Sequence, residues 1–215
     1  MSWYDRWVTK VRIAFGESLA TSLRRRLRAA HPWTIAELRE GLHGRITGTV
    51  KILDGATVQS TMTDRRCVYY KVEIIQQGGL TDTYAQRLLG IDRKSVPFVL
   101  VEAGHHALID PTFAELLVTS TRVEITADSF HALAARPRAL LERLGMDQVA
   151  LQMPGRLRFT ETIVAIDAVV AIAGTAARES DPFAMTERGY RDQSQTRSRM
   201  IGSKQLPLLI GDPPP

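Results

Sequence analysis

HGRITGTVKILDGATVQSTMTDRRCVYYKVEI, residues 43–74, decides the fold class. Ile46, Val50, Ile52 and Val58 are β-branched and alternate with polar residues, the pattern of a half-buried strand. Asp54-Gly55 is a strong turn signal. The run Val68–Ile75 predicts a further strand, opened by Cys67 and the pair Tyr69-Tyr70. Strict alternation places Cys67, Tyr69 and Lys71 on one face and Val68, Tyr70 and Val72 on the other.

Outward from this stretch, Gln76-Gln77-Gly78-Gly79 ends the run. Val96–Val101, Ala107–Ile109 and Leu116–Ile125 predict more strands, punctuated by Gly104 and Pro111. Phe113–Leu117 has a helical turn as its alternative. Asp128 or Ser129 caps a predicted helical pair, with Pro137 in the first turn of the second helix and Gly145 as its stop. Strands resume at Arg156–Val164 and Val169–Ala176. Ser180–Lys204 is polar and reads as a loop or irregular hairpin. Pro207–Ile210 is a last short strand, and the chain closes in a proline tail at 213–215.

On the N-terminal side, Trp3, Trp7, Val11, Phe15, Leu19, Leu23 and Leu27 recur at steps of four. They predict a helix over residues 3–29 with one apolar stripe. Arg24, Arg25, Arg26 and Arg28 crowd its last turns, and His31-Pro32 ends it. Thr34–Leu42 predicts a short second helix, capped by Thr34 with Glu37 as its capping-box partner. The expected class is α+β and mainly β. An antiparallel β-rich domain with one helical hairpin, residues 43–212, follows a basic amphipathic helical arm, residues 1–42.

The net charge of +5 is unevenly placed, since residues 1–42 hold eight basic and four acidic side chains. A basic arm on a near-neutral body points to an anionic partner for the arm. With 44% hydrophobic and 24% charged residues the composition is that of a soluble globular protein. One cysteine permits no intramolecular disulfide. No segment has the continuous apolar run of a signal peptide or a spanning helix, since Asp167 interrupts the longest.

Catalytic constellations are not indicated. Cys67 follows Arg65-Arg66, which would lower a thiol pKa, but its strand position favours a small buried hydrophobe. His31, His43, His105, His106 and His131 lack the spacing of zinc ligands. Gly78-Gly79 lacks the Lys-Ser/Thr of a phosphate loop, and no GxSxG elbow occurs. Glu161 and Asp167 read as a strand-end salt bridge or turn residues. Metal, cofactor and catalytic residues are therefore all expected to be none.

The order of motifs resembles the GIDE domain, also called the BAM ("beside a membrane") domain. GRITGTV (Gly44, Gly48) and RRCVYYKVEI (Cys67, Tyr69) are similar to its opening. PFVLVEAGHHALIDP carries its Pro-Phe start and later proline, here Pro97, Phe98 and Pro111. ETIVAIDAVVAIAG, from Glu161 to Gly174, resembles its Glu-containing hairpin, and MIGSKQLPLLIGD its closing strand. A turn glycine near Asp167 is missing, although Asp tolerates left-handed geometry. Relatives commonly carry transmembrane helices, whereas this sequence offers an amphipathic arm and stops at Pro215.

The resemblance implies a non-catalytic, membrane-proximal interaction or scaffold module. Its implied setting is cytoplasmic and peripheral, against an anionic membrane surface or a membrane protein. Trp3, Trp7, Phe15, Arg24, Arg25, Arg26 and Arg28 are the expected contact residues. The eukaryotic relatives are E3 ubiquitin ligases through a RING domain, whose eight zinc ligands one cysteine and five histidines cannot supply. A ligase-like component is therefore a disfavoured alternative. A nucleic-acid binder using the arm is a second, because the body shows no RNP-like aromatic run.

Overall fold

The structure is a computed structural model that describes residues 19–78, 86–152, 155–180 and 196–214. Strands take up 49% of these residues and helices are few, so the expected α+β class is corrected to a mainly β architecture. Two segments add strand content. Gln86–Ser95, to which the sequence assigns no element, is strand β4, and Thr196–Ile201 is strand β11, which pairs antiparallel with the strand ending at Ser180 as the hairpin alternative has it. The helices predicted after Thr34 and Ser129 are single 3-10 turns, Ile35–Glu37 and Phe130–Ala132.

Five strands close into a barrel in the order β1 (His43–Ile52), β5 (Phe98–Glu102), β6 (His105–Ile109), β11 and β10 (Val169–Ser180), with β10 returning to β1. Neighbours are antiparallel except β6 and β11, so the expectation of a purely antiparallel domain is also corrected. Following the register round the ring, Ile52 leads to Phe98, Ile109, Met200 and Ala176. The Ala176 amide then donates to Leu42, a stagger of ten residues back from Ile52. Five strands in this order, with the third and fifth parallel, form the Greek-key barrel of an OB-fold. So strong a coil leaves an interior just wide enough for Ile46, Val50, Phe98, Leu100, Ile109 and Met200, all buried.

Glycine is required where the coiled strands approach closely. A Cβ on Gly48 would lie 2.6 Å from the Val101 carbonyl oxygen, and one on Gly174 2.9 Å from the Ile201 carbonyl oxygen. The turn from β9 (Arg156–Ala165) into β10 contains Asp167 at φ 65°, so Asp does occupy the left-handed position there.

A second, five-stranded sheet is inserted into the barrel's connections. β3 (Arg66–Gln77) is flanked by β9 on one side and by β2 (Val58–Gln59) and β4 on the other, with β8 (Val123–Ala127) outside β9. It curls into a half-barrel. Helices α2 (Ala135–Arg143) and α3 (Asp147–Gln152) cover its apolar face, where Leu140, Leu141 and Ala150 join Val72, Ile74 and Phe159. The expected helical hairpin is therefore a 3-10 turn and two short helices, with Pro137 in the first turn of α2 and Gly145 at φ 66° ending it.

A β-bulge joins the two cores. The β3–β9 register slips between Cys67 and Tyr69, so Val68 is an extra residue. Val68 and Tyr69 consequently enter the barrel core, while Cys67 and Tyr70 enter the half-barrel core. The predicted alternation, with Cys67 beside Tyr69, is corrected by this one inserted residue. On the barrel's other flank, β7 (Ala114–Leu116) and β12 (Leu208–Gly211) form a parallel pair against β10.

Gly48→Ala is expected to destabilise the protein by about 1–3 kcal/mol, the range for overpacking a filled interior. Urea unfolding followed by circular dichroism measures this. An unchanged midpoint would show that the β1–β5 crossing has room to spare.

Candidate functional site

Residues 19–29 are helical and form the described part of the arm, here α1. Leu23 and Leu27 bury themselves against Leu117, Ala171, Ala173 and Leu209, a small core on the outside of β10 and β12. Arg45 on β1 donates from Nη1 to the carbonyls of Leu27 (3.3 Å) and Arg28 (2.8 Å). These bonds satisfy carbonyls that a helix end leaves without partners, and the guanidinium suits the negative end of the helix dipole. The Leu contacts and the Arg45 cap fix the helix about its own axis.

Fixing one face presents the other. Thr21, Arg24, Arg25, Arg28 and Ala29 line an open concavity of about 520 Å³. Thr21, Arg24, Arg25 and Arg28 follow the i, i+3, i+4, i+7 spacing of a single helix face. Arg26 is exposed but lies about 160° round the helix from Arg24 or Arg28, and about 100° from Arg25, at roughly 100° per residue, and is not part of that lining. Among the described residues, no carboxylate pairs with any of these four arginines. The helix dipole opposes an anion here by about 0.3–1 kcal/mol, while each charge-assisted hydrogen bond from a guanidinium contributes roughly 1.5–3. The guanidiniums win. Trp3, Trp7 and Phe15, the other expected contact residues, lie outside the described residues.

The remaining motif residues are spread through the fold and form no common site. Gly44, Gly48, Gly174 and Phe98 belong to the barrel, with the Trp33 ring over Gly44 at a distance no side chain would allow. Tyr69 donates its hydroxyl to the Ala114 carbonyl at 3.2 Å. Pro97 is exposed between β4 and β5, and buried Pro111 begins a 3-10 turn whose Thr112 amide donates to the Asp110 side chain. His105 and His106 begin β6 after the Ala103-Gly104 turn.

Cys67 is fully buried beside Val58, and its thiol contacts the Val58 carbonyl at 3.7 Å. Burial, and then the negative charge of Glu161, push it up to about 11. That environment suppresses a thiolate instead of stabilising one. The two flanking arginines do not reverse it, since Arg65 and Arg66 are exposed.

Glu161, read from sequence as a strand-end or turn residue, lies in the middle of β9 and is 1% exposed. Its carboxylate accepts from the Met62 amide at 2.8 Å and from the Thr63 hydroxyl. Alternation could have revealed it, because Glu161 shares the inward face of Leu157, Phe159 and Ile163. On β4, Asp92 pairs with Val72 just as Glu161 does on the other side. Asp92 accepts from Thr61 (2.7 Å), Tyr70 (3.1 Å) and Arg143 (2.8 Å). Two carboxylates thus hold residues 61–63 against the sheet, through both oxygens of Glu161 and through Oδ2 of Asp92. Burial alone would raise the Asp92 pKa, but the hydrogen bonds from Arg143 and Thr61 outweigh it and the net direction is down.

Among the described residues, no group of three or more His, Cys, Asp or Glu converges to hold a metal ion. No described helix is long and apolar enough to cross a membrane. No family model, curated protein or solved structure matches this chain.

Glu161→Ala leaves the buried Met62 amide unpaired and takes one partner from the Thr63 hydroxyl, which keeps Ser60, and is expected to cost about 1–3 kcal/mol, read from the urea midpoint, with Glu161→Gln milder. Wild-type destabilisation by Cys67→Ser should be about 1–3 kcal/mol, and alkylation of native Cys67 should be slow until unfolding. A folded pKa below the unfolded one means that Asp92, Asp110 and Asp212 stabilise the fold above about pH 4. This stability is lost as pH falls through the folded values. Thermal midpoints from pH 7 to 2 should decline in acid, and Asp92→Asn should flatten part of that decline.

Proposed function

We propose that the chain is a non-catalytic interaction module that works beside an anionic membrane, with α1 as its electrostatic contact and the β body as a rigid carrier. The carrying observation is the geometry of α1. Leu23 and Leu27 are committed to the body, and Arg24, Arg25, Arg26 and Arg28 stand without described carboxylate partners. The resemblance to GIDE/BAM domains supports the same setting. Asp92 and Glu161 are bonded to neighbouring groups of the fold, which fits a packing role for both.

The alternatives draw less support. A cysteine-based, ligase-like reaction would need a thiol unlike the buried, suppressed Cys67. For nucleic acid, the usual surface of a barrel of this type is the outer face of its second and third ring strands. Here that face carries Val99, Val101, His106 and Leu108, with no described Phe, Tyr or Trp on which bases would stack. On the adjoining β11, Arg199 is already paired with Asp110 and Glu179, and Arg197 with Glu179.

The full chain is expected to co-sediment with vesicles containing anionic phospholipid and to release as salt rises, because the attraction is screened over about 10 Å at 0.1 M salt. Replacing Arg24, Arg25, Arg26 and Arg28 together by Gln removes on the order of 1 kcal/mol per charge near the surface. Thermal stability should hold, since Leu23 and Leu27 keep their contacts. Removing residues 1–42 is a poor variant, because Ile35 and Leu38 belong to the barrel core. Absence of any affinity for anionic over neutral vesicles at low salt would overturn the proposal.

A further inference from the structure

Three guanidiniums round one concavity differ chemically from a diffuse positive face. Arg24, Arg25 and Arg28 share a helix face with the Thr21 hydroxyl, and Ala29 beside them adds little bulk. Each arginine offers a planar fork that fits phosphate oxygens bidentately, and three such cations on one helix face repel one another, which a multiply charged anion relieves. A singly charged group engages one fork and leaves the other two unneutralised. The helix cannot roll to dilute the cluster, because Leu23 and Leu27 are buried on the body and Arg45 holds the helix end.

We infer that the Thr21–Arg24–Arg25–Arg28 concavity is a binding site for a multiply charged phosphate group, one with two or more negative charges in reach of all three guanidiniums. It rests on the reading of α1 as the contact face, but is narrower, for it assigns selectivity to three arginines and withholds it from Arg26. The same chemistry is offered by a phosphorylated lipid headgroup and by a free polyphosphate.

The test uses the full chain with two kinds of probe. Vesicles carrying phosphatidylinositol bisphosphate are compared with phosphatidylserine vesicles matched for total negative charge, and inorganic pyrophosphate is titrated calorimetrically without lipid. Binding to the bisphosphate vesicles should be about tenfold tighter at equal charge, because several forks engage one headgroup. Arg24→Gln, Arg25→Gln and Arg28→Gln should each erase most of that preference. Arg26→Gln should weaken binding to both vesicles alike and keep it. Saturable pyrophosphate binding that Arg25→Gln removes also supports the site, and without vesicle binding it assigns the site to a soluble ligand while the membrane reading falls. Equal binding to the charge-matched vesicles with no saturable pyrophosphate binding overturns the site and leaves the membrane reading standing. A preference that survives the three Gln variants, or that Arg26→Gln removes equally, also overturns it.

Discussion

A ring of five strands closes only when each strand is strongly tilted and coiled, and this closure governs the rest of the molecule. The pairing of β1 with β10 completes the ring across its ten-residue stagger. At such a coil the backbones of successive strands cross closely, so glycine stands where Gly48 meets the Val101 carbonyl and where Gly174 meets the Ile201 carbonyl. Closure also gives β10 its several partners. One edge is occupied by β1, and the other serves β12 and β11 in succession, because β10 is long enough to leave one neighbour and meet the next. The outer face of the same strand supplies Ala171 and Ala173, the floor on which α1 rests.

The half-barrel depends on the barrel through a single inserted residue. Without the bulge at Val68, alternation would keep Tyr69 in register with Cys67, and β3 would serve one core. With it, Val68 and Tyr69 pack against the barrel interior while Cys67 and Tyr70 face the other way. The polar bonds of Glu161 and Asp92 hold residues 61–63 on the same sheet. This is why the buried carboxylates are structural elements.

Legibility in the sequence follows how far each element's own residues determine its state. β1 and the β9–β10 hairpin were readable, because apolar alternation and a turn residue at Asp167 coincide in them. β4 was not, and β11 only as one arm of an irregular hairpin. QRLLGIDRKS is mostly half-buried or exposed and TRSRMI has two apolar residues, so each is a strand because neighbours supply its partners. The bulge leaves no composition mark. Of the candidate site, Leu23 and Leu27 announced an apolar stripe and the arginine run announced charge. Which arginines share a face follows from helix spacing, but the barrel surface that receives the leucines, and the Arg45 cap, depend on strands far along the chain.

The docking of α1 has a consequence for the order in which the molecule can be assembled. Leu27 lies so close to Gly211 that a Cβ there would be 2.6 Å from its side chain, and Leu209 of the same final strand lines the site of Leu23. The first described helix and the last strand are therefore each other's packing partners across nearly the full length of the chain. Contacts of such separation form late, since the intervening chain must be ordered first. During synthesis this helix emerges well before its partner strand Leu208–Gly211. Its arginines acquire a fixed direction only once Leu208–Gly211 has been made and placed beside β10, so orientation of the basic face reports completion of the fold.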